Sequence, residues 1–152
     1  MLETAEAIGF VRGAFATQER WRDGLRAALA AVLRWVQKDP ARARFLLTEA
    51  LADGKLANLG RPTASSLVDL VDAGRQELPD PSAVSREMAE AVTGALLHRI
   101  LAATHETSRP PEALTAELMY VAVLPYLGHE AAREELRRYE TGPNEKLLAS
   151  EK

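Results

Sequence analysis

Between Leu118 and Leu127 the chain reads LMYVAVLPYL, and on a helix these ten residues point apolar side chains nearly all round. A helix of that kind has no side to give to water, so other elements must surround it. The stretch is too short to cross a bilayer, which takes about 20 apolar residues, and no other apolar run in the chain is longer. Gly128 follows at once, and then the charged HEAAREELRRYE. Pro125 is expected to disrupt the greasy helix and Gly128 to permit a left-handed cap, after which the charged stretch restarts as a solvated helix. On this reading Glu134, Glu135, Arg137 and Arg138 form a wet face that does little beyond solubility.

The rest of the chain points the same way. Alanine, leucine, glutamate and arginine dominate, and no long stretch alternates at period two, so the fold class is all-α, with about six to seven helices. At 152 residues it is one domain, read as 1–140, with 141–152 as a flexible tail. Ile8, Val11 and Phe15 mark a first short helix over about 4–16. Trp21, Leu25, Ala28, Leu29, Val32 and Val36 share one arc of a second, whose opposite side carries Arg22, Asp23, Arg26, Arg34 and Gln37 and is expected to face water. Asp39-Pro40 and Asp80-Pro81 each place a capping carboxylate ahead of a proline at the first helical position, so helices are predicted to start at both. The first of these ends in the glycine-bearing loop DGKLANLG. Another helix begins near Pro62, with Leu67, Leu70, Val71, Gly74 and Leu78 on one face.

The two C-terminal helices are longer and greasier. From Ser82 to about Thr104, the arc of Ala89, Val92, Leu96, Ile100 and Ala103 is apolar throughout, and a second arc becomes apolar in its later half. A chain this short has too few helices to cover both long helices on all sides, and a second copy of the protein is the expected cover. Candidate dimer contacts are Thr93, Gly94, Leu97 and Leu101 on the first and Leu118, Val121 and Leu124 on the second. Gly94, costly in mid-helix, reads as a point of close approach.

Several functions are disfavoured. There is no cysteine, hence no disulfide framework, thiolate metal site or cysteine nucleophile. That fits a reducing compartment, and with two glutamates in MLETAEAIGF in place of a basic signal sequence, a cytoplasmic home without membrane attachment is expected. A net charge of -3, from 19 basic and 22 acidic residues interspersed, provides no basic surface for nucleic acid, so no DNA-binding residue is assigned. His98 and His105 share a helical face but stand about 10.5 Å apart along it, too far to share a metal. No nucleophile motif, phosphate loop or facing carboxylate pair is present, so no catalytic residue, metal ligand or cofactor is assigned and an enzyme is not expected.

The run WRDGLRAALAAVLRWVQKDPARARFLLTEAL, then EAVTGALLHRILA, then LTAELMYVAVLPYLGHEAAREEL resembles the C-terminal regulatory region of bacterial TetR-family transcriptional regulators, actinobacterial ones especially. The resemblance covers about residues 10 to 138 and rests on the order and spacing of loose motifs. It implies a ligand-sensing and dimerisation domain whose last two long helices form an intersubunit four-helix bundle, with an effector pocket among the helices before them. Such regulators, usually repressors, carry a helix-turn-helix head ahead of this region. Only about ten residues precede the matching segment here, so the resemblance implies a reading head outside this chain, which is either a fragment or a natural variant without one.

The bulky apolar residues Phe15, Trp21, Trp35, Phe45 and Met88, with Val92 and Leu96 of the first long helix, are the candidate lining of that pocket, and a small, mostly apolar effector is the expected ligand. The resemblance further implies a homodimer. Read from the residues alone, each of these side chains also suits plain core packing. A stand-alone helical interaction protein, or a structural dimer without a pocket, is the alternative.

Overall fold

The computed structural model describes residues 2–52, 61–106 and 108–149, and every regular element among them is helical. Six α-helices follow one another: α1 (Leu2–Ala16), α2 (Trp21–Lys38), α3 (Pro40–Ala52), α4 (Arg61–Asp72), α5 (Arg86–Ala103) and α6 (Pro111–Ala149). Two 3-10 turns, Ala73–Glu77 and Pro81–Ala83, lie between α4 and α5. The loop DGKLANLG lies outside the described residues.

α2 is the central element. Trp21, Leu25, Leu29, Leu33 and Val36 recur at four- and three-residue spacing and all are buried, so one stripe of α2 faces the core. α2 packs on α1, α3 and α6, while α5 packs on α3, α4 and α6. The largest fully buried side chains, Ile100, Leu118, Met119 and Val123, belong to α5 and α6, and each contributes about 1.5–3 kcal/mol by leaving water. A smaller cluster of Val11, Ala28 and Ala31 joins α1 to the other side of α2.

The two aspartate-proline pairs behave differently. Asp39 accepts the Arg42 N–H at 3.0 Å and Pro40 opens α3, as expected of an N-cap. The Asp80 carboxylate is instead taken by Ser82, whose N–H and hydroxyl both donate to Oδ1, at 2.9 and 2.6 Å. This tight turn closes one 3-10 turn only; Val84 and Ser85 are extended, and α5 starts at Arg86 rather than at Ser82.

α4 likewise tightens into the Ala73–Glu77 turn where the spacing predicts a continuous helix to Leu78. The indole of Trp21 explains the change. Its Nε1–H donates to the Leu70 carbonyl at 2.9 Å, the acceptor that an α-helix would give to the Gly74 N–H. Glu77, at the end of the same turn, accepts the Trp21 backbone N–H at 3.4 Å and so serves the start of α2, where Arg20 provides no side-chain cap.

α6 is two helical arms, 111–127 and 129–149, joined at Gly128. The break falls where the sequence places it, but φ 82° and ψ 178° lie outside the left-handed helical region, in a region open almost solely to glycine. Pro125 does not end the first arm: Gly128 is the residue whose dihedrals leave the helix. Residues 141–149, read from composition as tail, continue the second arm as helix.

Candidate functional site

Three features of the surface and interior stand out. The first is a small apolar cavity of about 50 Å³ where α1, α2, α4 and α5 meet. Val11 closes it from α1, Leu25, Leu29 and Val32 from α2, Leu67, Leu70 and Val71 from α4, and Thr93, Leu96, Leu97 and Ile100 from α5. The one hydroxyl among these, on Thr93, donates to the Ala89 carbonyl at 2.7 Å and so is spent within its own helix. A space of this character favours apolar atoms over water, which needs two or more polar partners.

Of the seven residues expected to line a pocket, Leu96 alone lines this cavity. Trp21 and Val92 are buried in the main core, and Phe15 and Trp35 pack against it half-buried. Phe45 and Met88 are 64% and 41% exposed, on the outer sides of α3 and α5, and line neither this cavity nor the groove described below. Apart from Leu96, which the sequence suggests for this duty, and Thr93 and Leu97, which it suggests for dimer contact, the lining is made of small and medium aliphatic residues. Their signal in sequence was the apolar stripes of α2 and α4, not the large aromatics.

The second feature is an exposed apolar stripe on each of two packed helices. Met88, Ala91 and Ala95 face outward from α5, with the polar His98 at the end of the row, and Val121 and Leu124, each 38% exposed, from the first arm of α6. Among the expected dimer contacts, Val121 and Leu124 lie on this surface and Gly94 and Leu101 are half-buried beside the core. Thr93, Leu97 and Leu118 are not available to a partner: they are 3%, 8% and 0% exposed, because the inner sides of α5 and α6 meet the chain's own core.

The third feature is polar and differs from the sequence expectation. Glu135, expected on a solvated face, is 3% exposed. Its Oε2 accepts from Arg26 Nη2 at 2.6 Å and its Oε1 lies 3.5 Å from Arg22 Nη1, while Arg26 Nη1 donates to Asp23 at 2.7 Å. The half-buried side of α2 carrying Arg22, Asp23 and Arg26 thus faces the second arm of α6, not water. The signal was present: Ala132, Glu135, Leu136 and Tyr139 recur at helical spacing, which puts Glu135 on the arm's inner side opposite an arginine pair four residues apart on α2. Beside this cluster, α2 and both arms of α6 enclose a groove of about 680 Å³.

A further buried polar group sits at the α4 turn. Tyr126 packs its ring on Trp21, centroids 5.2 Å apart at 60°, and its buried hydroxyl has no hydrogen-bond partner among the described residues. Burial, and then the nearby charge of Asp72, push its pKa up to about 12. Asp72 itself is held by Arg75 at 2.5 Å and Arg86 at 3.5 Å, a junction that ties the 3-10 turn to α5. Among the described residues no group of three or more histidines, aspartates or glutamates converges as a metal site would require. No described helix is long and apolar enough to cross a membrane. Compared with known proteins, the chain matches no protein family, no curated protein and no solved structure.

Proposed function

We propose that this chain is the effector-binding and dimerisation module of a TetR-type transcriptional regulator, sensing a small, mostly apolar ligand and pairing with a second copy of itself. The observation that carries the reading is the outer surface of α5 and α6. Both helices are fully buried on their inner sides and still present Met88, Ala95, Val121 and Leu124 to solvent. Apolar side chains exposed along two packed helices are what a four-helix interface between copies would bury. The apolar cavity among α1, α2, α4 and α5 supports the sensing half. In the proposed cycle an effector parts these helices, enlarging the cavity, and the packing it favours shifts α1 relative to α2. DNA contact would fall to a helix-turn-helix region beyond the segment that carries the resemblance.

The mass in solution tests the dimer. Sedimentation equilibrium is expected to give twice the chain mass, and Val121→Glu with Leu124→Glu to halve it while the helical circular dichroism is kept. A wild-type monomer at tens of micromolar would overturn the reading.

One observation favours the second reading, a structural dimer without an effector. The cavity holds about 50 Å³, well below the roughly 300–1,000 Å³ of ligand pockets. Thermal unfolding against a panel of apolar small molecules separates the two, since a ligand bound by the folded state alone raises Tm.

A further inference from the structure

The groove between α2 and α6 is separate from the cavity just described and shares no lining residue with it. Ala30 of α2, Pro110 just before α6, Ala116 of its first arm and Tyr139 of its second supply apolar walls, with the fully buried Met119 behind them. Its volume of about 680 Å³ suits a molecule the size of a medium-chain lipid or a two-ring aromatic. One end is charged: Arg26, Glu135 and Arg138 all line it.

The hydrogen-bonding capacity at that end is lopsided. Glu135, almost wholly buried, has both oxygens engaged, Oε2 by Arg26 and Oε1 by Arg22. Arg26 has five N–H groups and gives one to Asp23 and one to Glu135. Its side chain stays 28% exposed. The unspent capacity beside the apolar walls is therefore that of a donor, fixed in place by the pair it already makes. Glu112, the remaining carboxylate of the groove, is exposed in the first turn of α6, where the helix N-terminus offsets its charge.

We propose that this groove binds an apolar carboxylic acid, its hydrocarbon body along Ala30, Pro110 and Ala116 and its carboxylate on the N–H groups of Arg26 that the two carboxylates leave unused. Glu135 is the positioning residue: it holds Arg26 at the groove's end and touches no ligand atom itself. The bond to the ligand is charge-assisted and half-shielded from water, so the head group is read and not merely tolerated.

The test is calorimetric titration of the full chain with decanoate, 1-decanol and decyltrimethylammonium, each below its micelle concentration. Decanoate is expected to bind at least about tenfold tighter than the other two, the discrimination of one charge-assisted hydrogen bond. Ala30→Trp, which fills the groove from a half-exposed position, is expected to weaken decanoate at least tenfold. Arg26→Met combined with Glu135→Met removes the pair together and keeps the arm seated; it is expected to bring decanoate and decanol within threefold of each other. On the unaltered protein, a decanoic acid with a diazirine in its tail is expected to label peptides bearing Ala116 or Tyr139. Equal binding of all three heads, no binding of decanoate, unchanged affinity in Ala30→Trp, or label on the Val11 and Leu67 peptides would each overturn the proposal. The last result would place the acid in the interior cavity and leave the sensor reading standing.

Discussion

Gly74 lies flat beneath the indole of Trp21: a Cβ built on Gly74 would stand 2.5 Å from Cζ2 and 2.7 Å from Cε2. No rotation of a methyl relieves that approach, and the ring is held at Nε1, the atom bonded to Cε2, by the Leu70 carbonyl. Gly74→Ala is expected to cost about 1–3 kcal/mol, the range for overpacking a filled core. Urea unfolding would measure it. In a Trp35→Phe background the emission of Trp21 would also shift as its buried hydrogen bond loosens. An unchanged midpoint and spectrum would show that the indole moves aside freely.

Gly128 presents the opposite case. Open space surrounds it, yet its φ of 82° with ψ of 178° admits an L side chain only with strain. Gly128→Ala is expected to lower stability by about 1–3 kcal/mol without any clash. Protease sensitivity within 129–149 would rise in step, since the arm's angle depends on that residue. A variant as stable as the parent would mean that the two arms tolerate another junction.

Removing Glu135 leaves Arg22 and Arg26 facing each other in a half-closed space. Glu135→Ala is expected to cost about 3 kcal/mol, the lower end for breaking a buried pair, because both guanidinium groups keep some water. Arg26→Met together with Glu135→Met is expected to come within about 1 kcal/mol of the parent. A double-mutant cycle by denaturant unfolding gives the coupling directly. Additive losses would show the pair to be two independent surface charges.

The hydroxyl of Tyr126 adds nothing that the chain satisfies. Tyr126→Phe is therefore expected to be neutral or stabilising by up to about 1 kcal/mol. Its raised pKa has a sign: stability tied to the neutral phenol is complete below the ordinary value of 10.0 and is lost as pH rises through about 12. Ultraviolet titration of tyrosinate should show a late step near there that Tyr126→Phe removes.

At the acid end the Arg26 hydrogen bond lowers the pKa of Asp23, and the Arg109 hydrogen bond lowers that of Glu117. Folded values below the ordinary 3.8 and 4.5 mean that their stabilisation is present above those values and is lost as pH falls through the lower, folded ones. Both carboxylates are more than a third exposed, so the loss should be shallow and weaker still in high salt. Arg109→Gln is expected to move the Glu117 part of the acid limb upward, measurable by thermal unfolding across pH 3 to 5.

The apolar periodicities of α2 and α4, the cap at Asp39 and the interruption at Gly128 were all legible in the sequence, because each depends on residues a few positions apart and on the sterics of proline and glycine. Two local signals were outvoted by contacts from afar. Asp80 resembled Asp39 but spent its carboxylate on Ser82, delaying α5 to Arg86; α4 tightens into a 3-10 turn where its Leu70 carbonyl accepts from a tryptophan 49 residues away in sequence. Which side of an all-apolar helix turns inward was decided only in three dimensions. Leu118 and Val121 have the same chemistry and lie three residues apart, yet one is fully buried and the other 38% exposed. The same holds for Glu135 and Glu134, neighbours of identical type, one sealed against two arginines of α2 and the other at the surface. Helix formation is set by near neighbours along the chain. Burial is set by which distant face arrives, and neither the cavity, the groove nor the charged seam exists until the helices meet.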